Sequence, residues 1–205
     1  MRVDIDQSSV AAVKAMLGDL KASYPKVIST AINKTLTTVK TQATARIGNE
    51  LNLKAARIKE DISLQKANYG KLSGAFISTG KPVGLIQFTA RQTAKGVSFK
   101  VKRTGARTTL KHAYIGKGKG GGLHVFWRKN RMPGTGKFPV GKKSKAPWQK
   151  MPKKFSKPVE RLTGPRIEDI LAQSKVLEPI TIQAGTLYLS NVDNKVDEVL
   201  RRHNG

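Results

Sequence analysis

For 98 consecutive residues, 62 to 159, the chain carries no carboxylate, yet the same stretch holds 23 Lys and Arg. Like charges on a folded surface repel one another, and this stretch has no acid of its own to offset them. It is stable in the company of a polyanion or an acidic protein surface, and less so alone. The rest of the chain is nearly balanced, with 16 Lys and Arg against 13 Asp and Glu, so the middle supplies 23 of the 26 net positive charges. A surface serving only solubility would intersperse carboxylates among the cations.

On either side of this stretch the apolar residues are spaced for helices. Ser8 and Ser9 stand as caps before Val10, Val13, Leu17 and Leu20, which predict a short helix to about Ala22. After Pro25, placed where a missing N–H costs nothing, Ile28, Ile32, Leu36, Val39, Ala43 and Ile47 recur every three or four residues and predict one long helix. Asn52 is the expected cap of a third helix, Leu53 to about Ile62, with Lys54 and Arg57 on one face and Lys59 beside them. From about Pro179 to Arg202, the residues Ile180, Ala184, Leu187, Val192, Val196 and Val199 predict an amphipathic helix, weakened at Gly185, that packs on the long early one.

In the basic middle the period changes to two. Val97, Phe99 and Val101 alternate with Ser98, Lys100 and Lys102, a half-buried strand with a basic solvent face. Further strands are expected at Leu72 to Thr79, Gly84 to Phe88, Thr109 to Ile115 and Leu123 to Arg128, with turns at Thr79-Gly80-Lys81-Pro82 and Thr104-Gly105. Residues 129–160 hold five prolines and little apolar periodicity, which predicts a basic, irregular arm. The expected fold class is α+β in a single domain spanning 1–205. Its parts are an N-terminal helical part (1–63), a central antiparallel sheet or small barrel (72–128), the arm, and a C-terminal helical part (161–205).

Several chemistries are excluded or weakly supported. With no Cys there are no disulfides, thiolate metal sites or cysteine nucleophiles. His112 and His124 fall on expected strands and could be cross-strand neighbours, but no carboxylate lies near them to complete a metal site. Glu60-Asp61 and Glu168-Asp169 are adjacent on expected helices, so their side chains diverge, which suits acid/base work poorly. Gly116, Gly118 and Gly121 fit G-x-G-x-x-G, but the segment that follows reads as a strand, whereas a dinucleotide site needs a helix N-terminus there. No G-x-x-x-x-G-K-[ST] loop occurs. The sequon Asn33-Lys34-Thr35 lies inside the long helix. No apolar run is long enough for a membrane span and Met1-Arg2-Val3-Asp4 does not open a signal peptide, so the expectation is a soluble, intracellular protein without cofactor or metal.

Trp127, Phe126 and Tyr114, and in the arm Phe138, Trp148 and Phe155, are interleaved with basic residues, a combination that can stack bases while neutralising phosphates. Core packing is the expected role of Phe99 and Trp127, and a protein-anchoring role that of Trp148. Without a helix-turn-helix, zinc-finger or RNP motif, any nucleic-acid contact is to the backbone, salt dependent and indifferent to sequence. The Gly- and Lys-rich loop 116–122 can bring charge close to a phosphate. Lys54, Arg57, Lys117, Lys119, Arg128, Lys129 and Arg131 are the candidate contacts for DNA or for acidic neighbouring proteins.

The order of these features resembles the phage minor tail protein Z family, also called tail completion proteins of long-tailed phages. The resemblance spans most of the chain. It lies in the long helix Val27 to Ile47, in Leu53-Lys54-Ala55-Ala56-Arg57-Ile58-Lys59, in Gly96-Val97-Ser98-Phe99-Lys100-Val101, and in His124-Val125-Phe126-Trp127-Arg128. It continues in Leu162-Thr163-Gly164-Pro165-Arg166-Ile167, where Arg166 stands in place of the family's usual Ser. The resemblance implies a non-enzymatic virion protein, assembled in the host cytoplasm and acting late in tail assembly at the head-tail joint. It further implies a ring of copies, six to match tail symmetry, around the channel through which DNA passes, in contact with tail and connector proteins. The alternative reading is a free, sequence-independent nucleic-acid-binding protein of nucleoid or ribosomal type, which the charge alone supports equally well.

Overall fold

The computed structural model describes residues 2–3, 7–78, 80–118, 120–128 and 159–204. Residues 129–158 of the expected arm, with Phe138, Trp148 and Phe155, lie outside these residues, as do Lys119, Lys129 and Arg131. The fold is α+β, with N-terminal helices, several small antiparallel sheets and a long C-terminal helix. Among the described residues the strands do not close into a barrel; they divide among three three-stranded sheets and one pair. The chain forms two compact units.

The first unit comprises residues 1–50, 54–81 and 166–205. Its helices are α1 (Gln7–Leu17), a 3-10 segment Gly18–Ser23, α2 (Tyr24–Glu50), α3 (Ala55–Glu60), α4 (Ile167–Leu171) and α5 (Ser174–Asn204). α2 forms where the three-four spacing predicts it, and Val27, Ile28, Ile32, Leu36, Val39, Ala43 and Ile47 are all buried. Each Val, Leu or Ile side chain among them contributes roughly 1.5–3 kcal/mol on full burial. α5 supplies the opposing face through Val176, Ile180, Ala184, Val192 and Val196. Thr35 meets Asn191, Arg46 meets Gln183 and Glu50 meets Lys175, so the residue numbers fall on one helix as they rise on the other and the pair is antiparallel.

A small sheet covers α2. β1 (Arg2–Val3), β3 (Gly74–Ser78) and β2 (Ile62–Gln65) lie in the order β1-β3-β2, antiparallel throughout. Gly74 lets β3 approach α2: a Cβ there would stand 2.7 Å from both Ile32 and Leu36 side-chain carbons. Asn33 ties α2 to the connection between β2 and β3, donating to the Ala67 carbonyl at 3.0 Å and accepting from the Ala67 N–H at 2.8 Å. The sequon asparagine is thus a structural residue, its amide occupied by backbone.

The second unit comprises residues 51–53 and 82–165. It contains β4 (Pro82–Gly84), a 3-10 turn Leu85–Gln87, β5 (Arg91–Thr93), β6 (Gly96–Phe99), β7 (Thr108–Lys111), β8 (Tyr114–Lys117), β9 (Leu123–Arg128), β10 (Val159–Arg161) and most of β11 (Thr163–Arg166). β5-β6-β7 and β8-β9-β10 are antiparallel sheets, and β4 pairs with β11. Val83, Leu85, Phe88, Val97, Ala113 and Val125 form the core with Leu51 and Leu53. Leu51 joins this unit because it bridges Lys102, while the Asn52 N–H reaches the Val101 carbonyl at 2.8 Å. The Leu162 N–H reaches Val125 O, and the Leu85 N–H reaches Leu162 O, stitching the β4–β11 pair to β9.

Several expectations are corrected. α1 begins at Gln7, so Ser8 and Ser9 fall inside its first turn. α3 begins at Ala55 with Lys54 at its N-cap and no side-chain cap bond; Asn52 instead donates to the Lys100 carbonyl at 3.1 Å and to Thr89 Oγ1 at 2.9 Å. The strand expected at Gly84 to Phe88 is the end of β4 followed by a 3-10 turn. The strand expected at Thr109 to Ile115 is two strands, broken at His112, whose φ of 66° no sheet accommodates. β6 ends at Phe99, so Lys100 and Lys102 do not form its solvent face. The last two arm residues, Val159 and Glu160, are in β10, opposite Arg128 and Trp127. α5 starts at Ser174, five residues before Pro179, whose ring removes the bond its N–H would make to Lys175.

Candidate nucleic-acid interface

The charge imbalance maps onto the two units. Residues 51–53 and 82–165 hold 21 Lys and Arg against Glu160 alone, whereas the first unit holds 18 against 12 carboxylates. Ion pairs in the first unit reflect that balance: Arg57 with Asp61 and Glu60, Lys175 with Glu50, and Lys195 and Arg202 with Glu198. The second unit, at net +20, has almost no internal means of neutralisation.

Of the sequence-predicted contacts among the described residues, Lys54 and Arg57 belong to the first unit and Lys117 and Arg128 to the second. Lys54 is exposed at the start of α3. Arg57, one turn on, lies 2.7 Å from Asp61 with only 18% of its side chain exposed, so its charge is matched within its own helix turn. That pairing was legible, since residues four apart on a helix face one another. Lys117 is exposed at the end of β8 opposite Leu123, and Arg128 ends β9 opposite Val159, so the two stand at opposite ends of the β9 ladder. The Gly-rich loop is the turn of the β8–β9 hairpin, closed by Gly118 N–H to Gly122 O at 2.8 Å and Gly121 N–H to Gly118 O at 3.0 Å. A strand follows it, so its glycine spacing makes no helix N-terminus for a pyrophosphate. His124 faces Gly116 across the hairpin and packs edge-on against Phe126, while His112 is exposed at its turn; the two histidines are not cross-strand neighbours. Among the described residues no group of three or more His, Asp or Glu could hold a metal.

What the fold does assemble is a cationic face on the β5-β6-β7 sheet. Residues directly opposite share a face and alternate along each strand. One face carries the row Gln92, Val97 and Leu110, with Val97 fully buried. The other carries the rows Arg91, Ser98, Thr109 and Thr93, Gly96, Lys111. Arg107, just before β7, folds over this second face: its Nε donates to Ser98 Oγ at 3.2 Å and its terminal nitrogens to Ser98 O at 3.2 Å, Thr89 O at 2.7 Å and Thr89 Oγ1 at 3.3 Å. All four acceptors are neutral, so the guanidinium is held in place and keeps its charge. Arg91 stands opposite Ser98, the residue Arg107 binds, so both cations belong to the same face of the sheet. Arg91, Arg107 and Lys111 are all exposed.

Sequence reasoning missed these three because their proximity depends on register, which joins residues up to 20 apart. The available signal is the β-alternation in Thr108-Thr109-Leu110-Lys111, which the sequence alone merges into one longer strand.

Residues 10–177, most of the chain, match the model of a protein family described as prophage minor tail protein Z. No curated protein and no solved structure matches the chain.

Proposed function

Because the chain belongs to the prophage minor tail protein Z family, we propose that it completes the phage tail at its upper end and helps form the head-tail joint around the DNA channel. As a member of that family it is a structural tail protein of the virion and works among other tail components. Its role in this reading is assembly and not catalysis. A ring of copies, six to match tail symmetry, would use head-to-tail contacts between unlike surfaces of neighbouring subunits. Connector and tail proteins are its neighbours, and the basic residues, with Lys54 and Lys117 among the exposed ones, face DNA or acidic protein.

The observation that carries the reading is the segregation of charge: one unit of net +20 with a single carboxylate is suited to a position beside a polyanion. The test is deletion of the gene from the phage that encodes it, with heads, tails and joined particles counted by electron microscopy. The expected result is separate heads and tails of defective upper end, converted to infectious particles by adding the purified protein. Joined, infectious particles in the deletion strain sink the reading.

A further inference from the structure

We propose that the polar face of the β5-β6-β7 sheet, carrying Arg91, Arg107 and Lys111, binds the phosphate backbone of duplex DNA. The inference deepens the reading above, on which it rests for the presence of DNA beside the protein.

Three features select this partner. The face consists of Arg, Lys, Thr, Ser and Gly, with Arg107 fixed by four neutral acceptors and the hydroxyls of Thr93, Ser98 and Thr109 between the cations. Arg, Lys, Ser and Thr are the side chains that contact phosphate oxygens. The same face presents no apolar or aromatic anchor: Val97 and Phe99 share the opposite parity. A protein partner is held through a desolvated apolar or aromatic centre, which is missing here, and a single strand is held by stacking its bases on aromatic rings, which are also missing. The dimensions also fit. β5 and β7 are two strand spacings apart, roughly 10 Å, and at about 3.4 Å of duplex axis per nucleotide this spans about three phosphates of one strand.

The experiment is duplex binding by the full chain, using a short random-sequence duplex and fluorescence anisotropy across a salt series. The double variant Arg91→Gln with Lys111→Gln removes two charges from the face and leaves Arg107 to hold the turn. The expected result is affinity about tenfold weaker and a salt slope smaller by about 2. The control, Lys34→Gln with Lys59→Gln, removes equal charge from exposed positions of the first unit and leaves both quantities at the wild-type value. Equal losses in the two variants overturn the proposal, as does displacement of the duplex by polyglutamate at equal charge concentration, which would mark an acidic-protein surface. A second measurement needs no variant: in the wild-type chain, duplex protects Lys111 from acetylation and leaves Lys34 reactive, read by mass spectrometry, and an unprotected Lys111 overturns the assignment. If the chain binds no duplex while the deletion strain still fails to join heads to tails, this inference falls and the tail-joint reading stands.

Discussion

The Arg107 guanidinium donates a 2.7 Å hydrogen bond to the carbonyl of Thr89, a β-branched residue whose φ of 51° lies in the left-handed region. Such a residue costs roughly 1–2 kcal/mol to hold there. Arg107 offsets that cost with a second bond to Thr89 Oγ1, and Asn52 adds a third from its side-chain amide. The connection between the 3-10 turn Leu85–Gln87 and β5 thus depends on a cation that also belongs to the exposed basic face.

Arg107→Ala is expected to lower stability by about 1.5 kcal/mol, the lower end for bonds to charged groups because the side chain is exposed. Arg107→Lys keeps the charge but not the planar fork, so most of the loss remains. Urea melts of the three proteins check this, and equal stability of Arg107→Ala and wild type refutes the anchoring role.

Arg166 occupies the N-cap of α4 in extended conformation, φ −77° and ψ 147°, with no side-chain cap bond. A serine oxygen at this position can accept from the first free N–H groups of the helix, and serine is the residue that the resemblance led one to expect there. Arg166→Ser is predicted to raise stability by about 1 kcal/mol, measured as a shift in the urea midpoint at unchanged slope.

At Gly164, two residues earlier, a Cβ would lie 2.5 Å from the ring of Phe88, which is wholly buried. Neither the ring nor the β4–β11 pair can move aside without opening the core. Gly164→Ala should cost about 1–3 kcal/mol through overpacking, and Gly164→Ala combined with Phe88→Leu should recover part of it. Thermal melts of the single and double variants decide the point.

Between α2 and α5 the Asn191 amide donates to Thr35 Oγ1 at 3.0 Å, with both residues buried. Asn191→Ala strands the threonine hydroxyl and opens a gap, for an expected loss of about 1–3 kcal/mol. Asn191→Leu with Thr35→Val replaces both partners by apolar groups and should lie much closer to wild type. A double-mutant cycle in urea measures the coupling.

Near the end of α5, a hydrogen bond from Lys195 holds the Glu198 carboxyl below its ordinary value against partial burial, with the Arg202 and Lys26 charges adding to the effect. A depressed folded-state value means that the stabilisation is present at neutral pH and is lost as pH falls through the folded value. The last turns of α5 should therefore fray on acidification below the usual carboxylate range, and Glu198→Gln should remove that pH dependence. Amide exchange of residues near the end of α5 as a function of pH reports both.

The elements that the sequence predicts well are those whose signal is local. The three-four spacing from Ile28 to Ile47 places α2, because one apolar stripe on one continuous helix has one way to be buried. The β9 strand is found to the residue, Leu123 to Arg128. The breaks are harder. His112 turns the chain between β7 and β8 at a positive φ without being glycine, so the run from Thr109 to Ile115 reads as one strand until the structure divides it. Asn52 looks like a helix cap until its amide is found on Lys100 and Thr89, far along the chain.

By itself the sequence determined the helices, the alternation of several strands, and the concentration of positive charge in a stretch without carboxylates, since composition and periodicity are properties of neighbouring residues. Only the tertiary structure decided which cations share a face and which are paired. It matched Arg57 to Asp61, and it gathered Arg91, Arg107 and Lys111 on one side of a sheet. The physical reason is hydrogen-bond register: shifting one strand by a single residue sends every side chain to the other face, and that register is set by turns and a buried core that no local spacing encodes.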